Sequence, residues 1–399
     1  MKRLFIIASL AMLAVGCQKT EIQNEVQTPI GFSTEVGKQT RAIVQGTEYP
    51  DESAAQPFAV YAFGWHNGKA NQNAVMPNVE IGYTAATTGA NPTPAKWSAV
   101  GDTKYYWPND PRTTLNFYAY SPSVNSSCAE HMTLNSGASV KVEETKDNNG
   151  ARTGATLNMT GYVHANKYVD FMLSSPVVGA TYTNTNPAGV TANVTEGDGV
   201  VPVVFHHQMT QIVFNVKTNQ AYNDIVFTVN SIVFNRVNNS ATFTQDYVDD
   251  NYGTWSSSNP TTFNNVFPAL ATEGGVTENQ TAEDVTDTDV LTTVPVTMIP
   301  QELTNTNLTT SADIVANGGQ SFTITYTISG TGVAHETVVK TFEFADASTA
   351  WEPNKKITYN LTIGLNEITF SPTVANWSDG AGAYYNPDNI APNTPSNGN

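Results

Sequence analysis

Two residues near the start of the chain could each support one covalent event. Arg41, within "STEVGKQTRAIVQG" (residues 33–46), is the only arginine between Arg3 and Arg112, and Lys38 is the only lysine between Lys19 and Lys69. A protease specific for arginine therefore meets one bond there, Arg41–Ala42. Gly37, Gln39 and Thr40 predict an accessible segment around it, with Lys38 as a secondary cut. Cys17 follows Lys2 and Arg3, an apolar run from Leu4 to Val15, and the small Gly16. This is the pattern of a secretion signal too short to span a bilayer. A cysteine placed directly after it is expected to take a diacylglycerol on its thiol and become the new N-terminus.

Other chemistry is sparse. The sequence has no HExxH, CxxC, GxSxG or P-loop, so the common metalloprotease, redox, hydrolase and nucleotide-binding mechanisms find no residues to work with. No catalytic residue, cofactor or metal is expected. His206 and His207 are adjacent, and neighbours on a strand point to opposite faces, which suits ordinary hydrogen-bonded histidines better than a ligand pair. The acidic runs "QDYVDDNYG" (245–253) and "TAEDVTDTDV" (281–290) lack EF-hand spacing and read as solvated loops. Trp65, Trp97, Tyr105, Tyr106, Trp107, Tyr384 and Tyr385 could line a carbohydrate groove, but in a β protein such residues mostly serve the core or the sheet rim. The one other cysteine, Cys128, has no partner once Cys17 carries lipid and reads as a small packed residue.

Charge narrows the partners. Lys and Arg total 18 against 35 Asp and Glu, a net charge of −17. Phosphate backbones would be repelled, so no nucleic acid is expected. Only 13% of residues are charged, which describes a neutral-polar exterior suited to an extracellular protein.

The elements that must position these residues are strands. Apolar residues alternate at Phe58/Val60/Ala62, Ile212/Phe214/Val216, Ile225/Phe227/Val229, Phe322/Ile324/Tyr326/Ile328, Ile357/Tyr359/Leu361/Ile363 and Ile368/Phe370. Gly, Asn, Asp and Pro clusters separate them. No apolar run at helical spacing stands out, and the chain reads as all-β, in sandwiches. Strand candidates before Phe205 include "FAVYAFGW", "KWSAV", "KYYW", "LNFYAY", "ATLNM", "VDFMLS" and "VPVVF". The expected division is a signal, 1–17; a pro-segment, 18–41; two sandwich domains, 42–205 and 206–380; and a flexible tail, 381–399.

"PIGFSTEV", just before Arg41, is itself strand-like. Ile30, Phe32 and Val36 share one face, so this octet is expected to lie half-buried in a sheet. Burying three such side chains is worth on the order of 5–8 kcal/mol, against whole-domain stabilities of about 5–15 kcal/mol. Its loss would leave a groove with unpaired backbone groups, which favours capture of another strand.

A lipoprotein-type signal followed by "PIGFSTEVGKQTRA", "PFAVYAF", "KYYWPNDPRTTLNFYAYSP", "VPVVFHHQMTQIVFNV", "VTMIPQELT" and "WEPNKKITYNLTIGLNEITFSPTVANWSD" resembles the fimbrillin family, the type V pilin subunits and pilus-tip proteins of anaerobic Gram-negative bacteria. The resemblance implies two transthyretin-like β sandwiches in tandem and an outer-membrane lipoprotein precursor. It also implies cleavage by an arginine-specific protease, matched here by Arg41–Ala42, and exchange of the first strand for one from another pilin subunit at the cell surface. A host or bacterial surface ligand is a further candidate partner. Pro387, Pro392 and Pro395 interrupt the tail that would naturally be donated. That points to a tip or accessory subunit, or to "EITFSPTVANW" as donor after rearrangement. The alternative from a different class is a surface glycan-binding lipoprotein still attached through Cys17.

Overall fold

A computed structural model of the chain describes residues 28–36, 47–48, 56–88, 95–126, 132–165, 169–187, 199–220, 225–247, 252–263, 283–285, 291–293, 295–332, 334–346, 350–365 and 367–377. Among them the chain is all-β apart from one short helix and one 3-10 turn. It opens with β1 (Gly31–Val36), β2 (Thr47–Glu48), β3 (Phe58–His66), β4 (Lys69–Thr84), β5 (Lys96–Ala99) and β6 (Thr113–Ser121). An excursion through β7 (Thr133–Leu134), β8 (Val140–Lys146) and β9 (Arg152–Val163) enters a second sheet. The chain then returns by β10 (Met172–Ser174), β11 (Val177–Ala180) and β12 (Val200–His207). Next come β13 (Thr210–Thr218), β14 (Ile225–Asp246), β15 (Thr254–Phe263), β16 (Glu283–Val285), β17 (Leu291–Thr292), β18 (Val296–Met298) and β19 (Gln301–Glu302). After helix α1 (Ser311–Asn317) the described chain ends with β20 (Ser321–Gly330), β21 (Glu336–Glu343), β22 (Ala350–Trp351), β23 (Lys355–Ile363) and β24 (Ile368–Asn376).

The first sheet has nine strands, and β10 bonds to both β12 and β6, so the path β10-β12-β1-β5-β4-β3-β6 closes on itself. Phe58, Val60, Phe117, Val201, Val203 and Phe205 fill its interior. Its other face, carrying Tyr61, Tyr118 and Tyr120, packs on Val142, Leu157 and Phe243 of an eight-stranded sheet. Burial on both faces explains why β3 and β6 read as nearly continuous apolar runs.

A five-stranded sheet, β17-β13-β23-β24 with β18, covers the other half of the eight-stranded sheet. Between them lie Phe214, Phe234, Phe322, Phe344, Trp351 and Tyr359. The period-two alternation of β20 and β23 accounts for this core, since every second residue of each points inward.

Strand β14 serves both cores. Its first part, Ile225–Asn235, pairs with β20, and its last part, Ser240–Asp246, pairs with β9. Between them Arg236 takes a left-handed φ of +59° and the register to β15 shifts, the local twist expected of a bulge.

The two halves also share a pairing pattern. β1 runs parallel to β12 and has antiparallel neighbours, β5 and β2, on its opposite edge. β13 runs parallel to β23 and has antiparallel neighbours, β18 and β17.

Some local expectations need revision. Helix α1 has Thr310 as its N-cap, accepting from the Asp313 amide, and buries only Ile314. One inward residue leaves no apolar periodicity to read. "KYYW" (104–107) is not a strand but an extended segment with a single bridge, Pro29 to Tyr106. Gln245 and Asp246 of the first acidic run finish β14, and residues 283–285 of the second form β16.

Candidate functional site

The site is the slot that β1 fills. All six residues of β1 face β12 in register, from Gly31 opposite Val200 to Val36 opposite Phe205. On the other edge only Phe32 pairs with Trp97 of β5, and Glu35 and Val36 meet β2. The pairing extends N-terminally: the Ile30 amide donates to the Tyr105 carbonyl at 2.9 Å, and the Trp107 amide donates to the Thr28 carbonyl at 3.0 Å.

Side chains also hold the strand in place. Ile30 is 5% exposed and Phe32 4%. The Phe32 ring meets Phe58 and Phe117 edge-on, each at 6.0 Å between centroids, a favoured geometry for aromatic pairs. Val36, the third residue expected on that face, has its side chain outside the described residues.

The N-terminal end of the slot is shaped by Gly199, whose φ of +73° suits a residue without a Cβ. A Cβ there would sit 3.2 Å from Thr28, Trp107 and Tyr182 atoms alike. The Trp107 indole donates to the Gly199 carbonyl at 2.9 Å. Beside this corner a cleft of about 400 Å³ opens between Thr28, Trp107, Asp110 and Tyr182.

Arg41 and Ala42 fall in the segment 37–46 that joins β1 to β2, outside the described residues. Cys17, Cys128, Tyr384, Tyr385 and everything after Trp377 also lie outside them. The structure thus brings Ile30 and Phe32 together in one core and leaves the cleavage and lipidation residues undescribed.

The remaining sequence candidates have local partners. His207 pairs with Asp170 and stacks flat on Trp377, with ring centroids 4.0 Å apart. His206 turns the other way, to the Ser175 hydroxyl at 2.9 Å. Trp65, Trp97 and Trp107 are buried, while Tyr106 is exposed. Among the described residues no three His, Cys, Asp or Glu groups gather closely enough to hold a metal.

Sequence reasoning missed three polar tethers. The Glu144 carboxylate accepts from the Trp65 indole, from Asn116 at 2.7 Å and from the Tyr118 hydroxyl at 2.7 Å, with Arg152 at 3.4 Å, and so stitches β8 and β9 to β3 and β6. Burial alone would raise the Glu343 carboxyl, but hydrogen bonds from the Thr306 hydroxyl and amide and from the Gly319 and Asn307 amides outweigh it and hold it below the usual range. His164 is fully enclosed: one ring nitrogen donates to the Thr297 carbonyl at 2.7 Å, and the other accepts from the Tyr162 hydroxyl at 2.9 Å. Burial pushes its pKa down to about 4. The partners of Glu144 on β3 and β6, and Thr297 for His164, lie too far along the chain to be a readable motif.

A family model described as fimbrillin-like matches residues 40–377. The chain belongs to the fimbrillin-like family. Membership rests on that match, and it makes the protein a structural and adhesive component of cell-surface pili that assembles with other pilin subunits. Among solved structures the chain is similar to a fimbrial protein from Bacteroides vulgatus, at 18% identity over 88% of this chain and 99% of that one, with a TM-score of 0.48. It is also similar to the C-terminally truncated tip fimbrial protein Mfa3 from Porphyromonas gingivalis, at 11% identity over 81% and 94% of the two chains, with a TM-score of 0.30. No curated protein matches the chain.

Proposed function

We propose that this fimbrillin-like chain is exported as a lipoprotein through Cys17, is cut after Arg41 by an arginine-specific protease, and then accepts a strand from a neighbouring subunit in the slot left by β1. The role is structural rather than enzymatic. One observation carries the reading: β1 is inserted between β12 and β5 with Ile30 and Phe32 in the core, yet its connection onward to β2 is the segment that contains Arg41. One hydrolysed bond frees the strand. The family match begins at residue 40, beside the proposed cut.

While the pro-segment stays attached, β1 satisfies the amides and carbonyls of β12 and prevents premature capture of another edge. After trimming, the slot offers an apolar channel and an unpaired strand edge, the two elements that strand addition uses. In this proposal the mature chain consists of an N-terminal unit, 42–205, and a C-terminal unit, 206–380, in transthyretin-like form. β14 lends its second half to the first unit's core.

The rival reading, a glycan-binding lipoprotein, relied on exposed aromatic platforms, and three of its tryptophans are buried. To test the proposal, Arg41→Ala is expected to leave residues 18–41 on the surface protein and to abolish its entry into fibres. N-terminal sequencing of material sheared from cells reads the outcome, and fibres of normal length containing the uncut variant would overturn it.

A further inference from the structure

The cleft beside Gly199 plays no part in strand exchange. Its walls are the stretch leading into β6 (107–113) and the turn after β11 (181–183), and Thr28 closes one end. At about 400 Å³ it falls within the usual size of small-molecule sites, roughly 300–1,000 Å³. Both walls are held before any ligand arrives. Pro108 and Pro111 fix two backbone angles of the first, and its Thr113 amide donates to the Asp110 carbonyl at 2.9 Å. In the second, the Thr181 and Asn184 amides donate to each other's carbonyls at 2.9 and 3.1 Å. Such preorganisation lowers the entropic cost of binding.

The lining is polar with one aromatic face. Thr28 and Thr113 bring hydroxyls, Asn109 an amide and Asp110 a carboxylate, and the Tyr182 ring is 39% exposed. Tyr106, the one other exposed aromatic among the described residues, does not line the cleft. Asp110 is oriented by Arg112, whose amide and Nε donate to Oδ1 at 3.0 Å each and whose Nη2 donates to Oδ2 at 2.8 Å. A carboxylate offers about four acceptor places, so these bonds leave one on Oδ2. His66 stands 3.5 Å from that oxygen and bonds instead to the Thr113 hydroxyl at 3.0 Å. The same Arg112 contacts hold the Asp110 carboxyl down to about 2, so it remains an acceptor.

A sugar ring matches this lining, because it carries hydroxyls around its rim and an apolar C–H face that packs on an aromatic ring. Charge selects among sugars. Arg112 balances Asp110 inside the cleft, while the net charge of −17 repels acidic saccharides. An extended peptide suits the cleft less, since backbone groups that it would pair with are taken: the Thr28 carbonyl accepts from the Trp107 amide, and Thr181 and Asn184 satisfy each other.

We infer that this cleft binds an uncharged saccharide, with a sugar face against the Tyr182 ring and sugar hydroxyls bonded to Asp110 and Asn109. The inference goes beyond strand exchange and needs neither cleavage nor a second copy. Apart from Thr28, every lining residue lies after Arg41, so trimming leaves both walls in the chain. The site also differs from the tryptophan platforms set aside above, because Tyr182 is not among them.

The test applies the full chain to immobilised oligosaccharides, neutral and sialylated, and in parallel to immobilised short peptides. Retention on a neutral saccharide is expected, with release by the same saccharide free in solution. Tyr182→Ala should weaken binding roughly tenfold, Tyr182→Phe should retain most of it, and Asp110→Ala should weaken it at least as much as Y182A. Tyr106→Ala should leave it unchanged. Thermal melting of each variant checks that the fold survives, and Y182F serves as the folded reference if Y182A does not. No retention on any neutral saccharide, retention on sialylated saccharides or peptides alone, or undiminished binding by Y182A would overturn the inference. None of these outcomes touches strand exchange, which the N-terminus of sheared protein tests separately.

Discussion

β1 and β13 sit in equivalent places and are retained in different ways. Each runs parallel to a late strand of its unit and has antiparallel neighbours on the other edge. β13 makes nine parallel pairs with β23 and further pairs with β18 and β17, and it buries Ile212, Val213, Phe214 and Val216. The two-residue link Gln208–Met209 ties it to β12. β1 makes six parallel pairs, touches β5 at one residue, and continues into the segment containing Arg41. The same topological place can thus be permanent or exchangeable, depending on ladder length, side-chain load and covalent connection.

The largest effect that could break this comparison is trimming itself. A chain beginning at Ala42 loses the burial of Ile30 and Phe32, and we expect it to be less stable than the chain beginning at Gln18 by about 3–6 kcal/mol in urea unfolding. Peptide 28–36 should restore the difference. Equal midpoints without peptide would show that β1 is ornamental.

Next, Phe214→Ala in β13 should cost about 3–5 kcal/mol, because its ring is fully buried against Phe234, Phe322 and Tyr359. No added peptide should rescue it. Rescue by a β13 peptide would erase the distinction between the two strands.

A somewhat smaller effect sharpens the contrast through pH. His164 bonds to Thr297 on β18, a direct neighbour of β13. Its folded pKa, about 4, lies below the ordinary 6.5. The unfolded chain therefore takes up the proton first, and stability present above pH 6.5 is lost as pH falls toward 4, by on the order of 3 kcal/mol. His164→Gln should flatten that window in pH-dependent melting, while peptide capture by the trimmed slot should not change with the substitution.

Much of this architecture could be read from the residues. Alternation in "SFTITYTISG" and "KKITYNLTI" announced β20 and β23, and the shared face of Ile30 and Phe32 announced a buried first strand, because strand parity is a local property. What escaped reading depended on distance along the chain or on the lack of an apolar signal. Helix α1 shows one buried residue. Glu144 collects donors from residues 65, 116 and 118, which only the packing of two sheets brings together. Arg41, conspicuous in sequence, lies outside the described residues, so its role rests on the strand before it.

The continuous β14 has a mechanical corollary. One backbone of 22 residues carries hydrogen bonds in both halves of the molecule, so tension entering at one end is handed to the other without crossing a soft linker. The two halves are therefore joined by strand backbone as well as by the loops between successive strands.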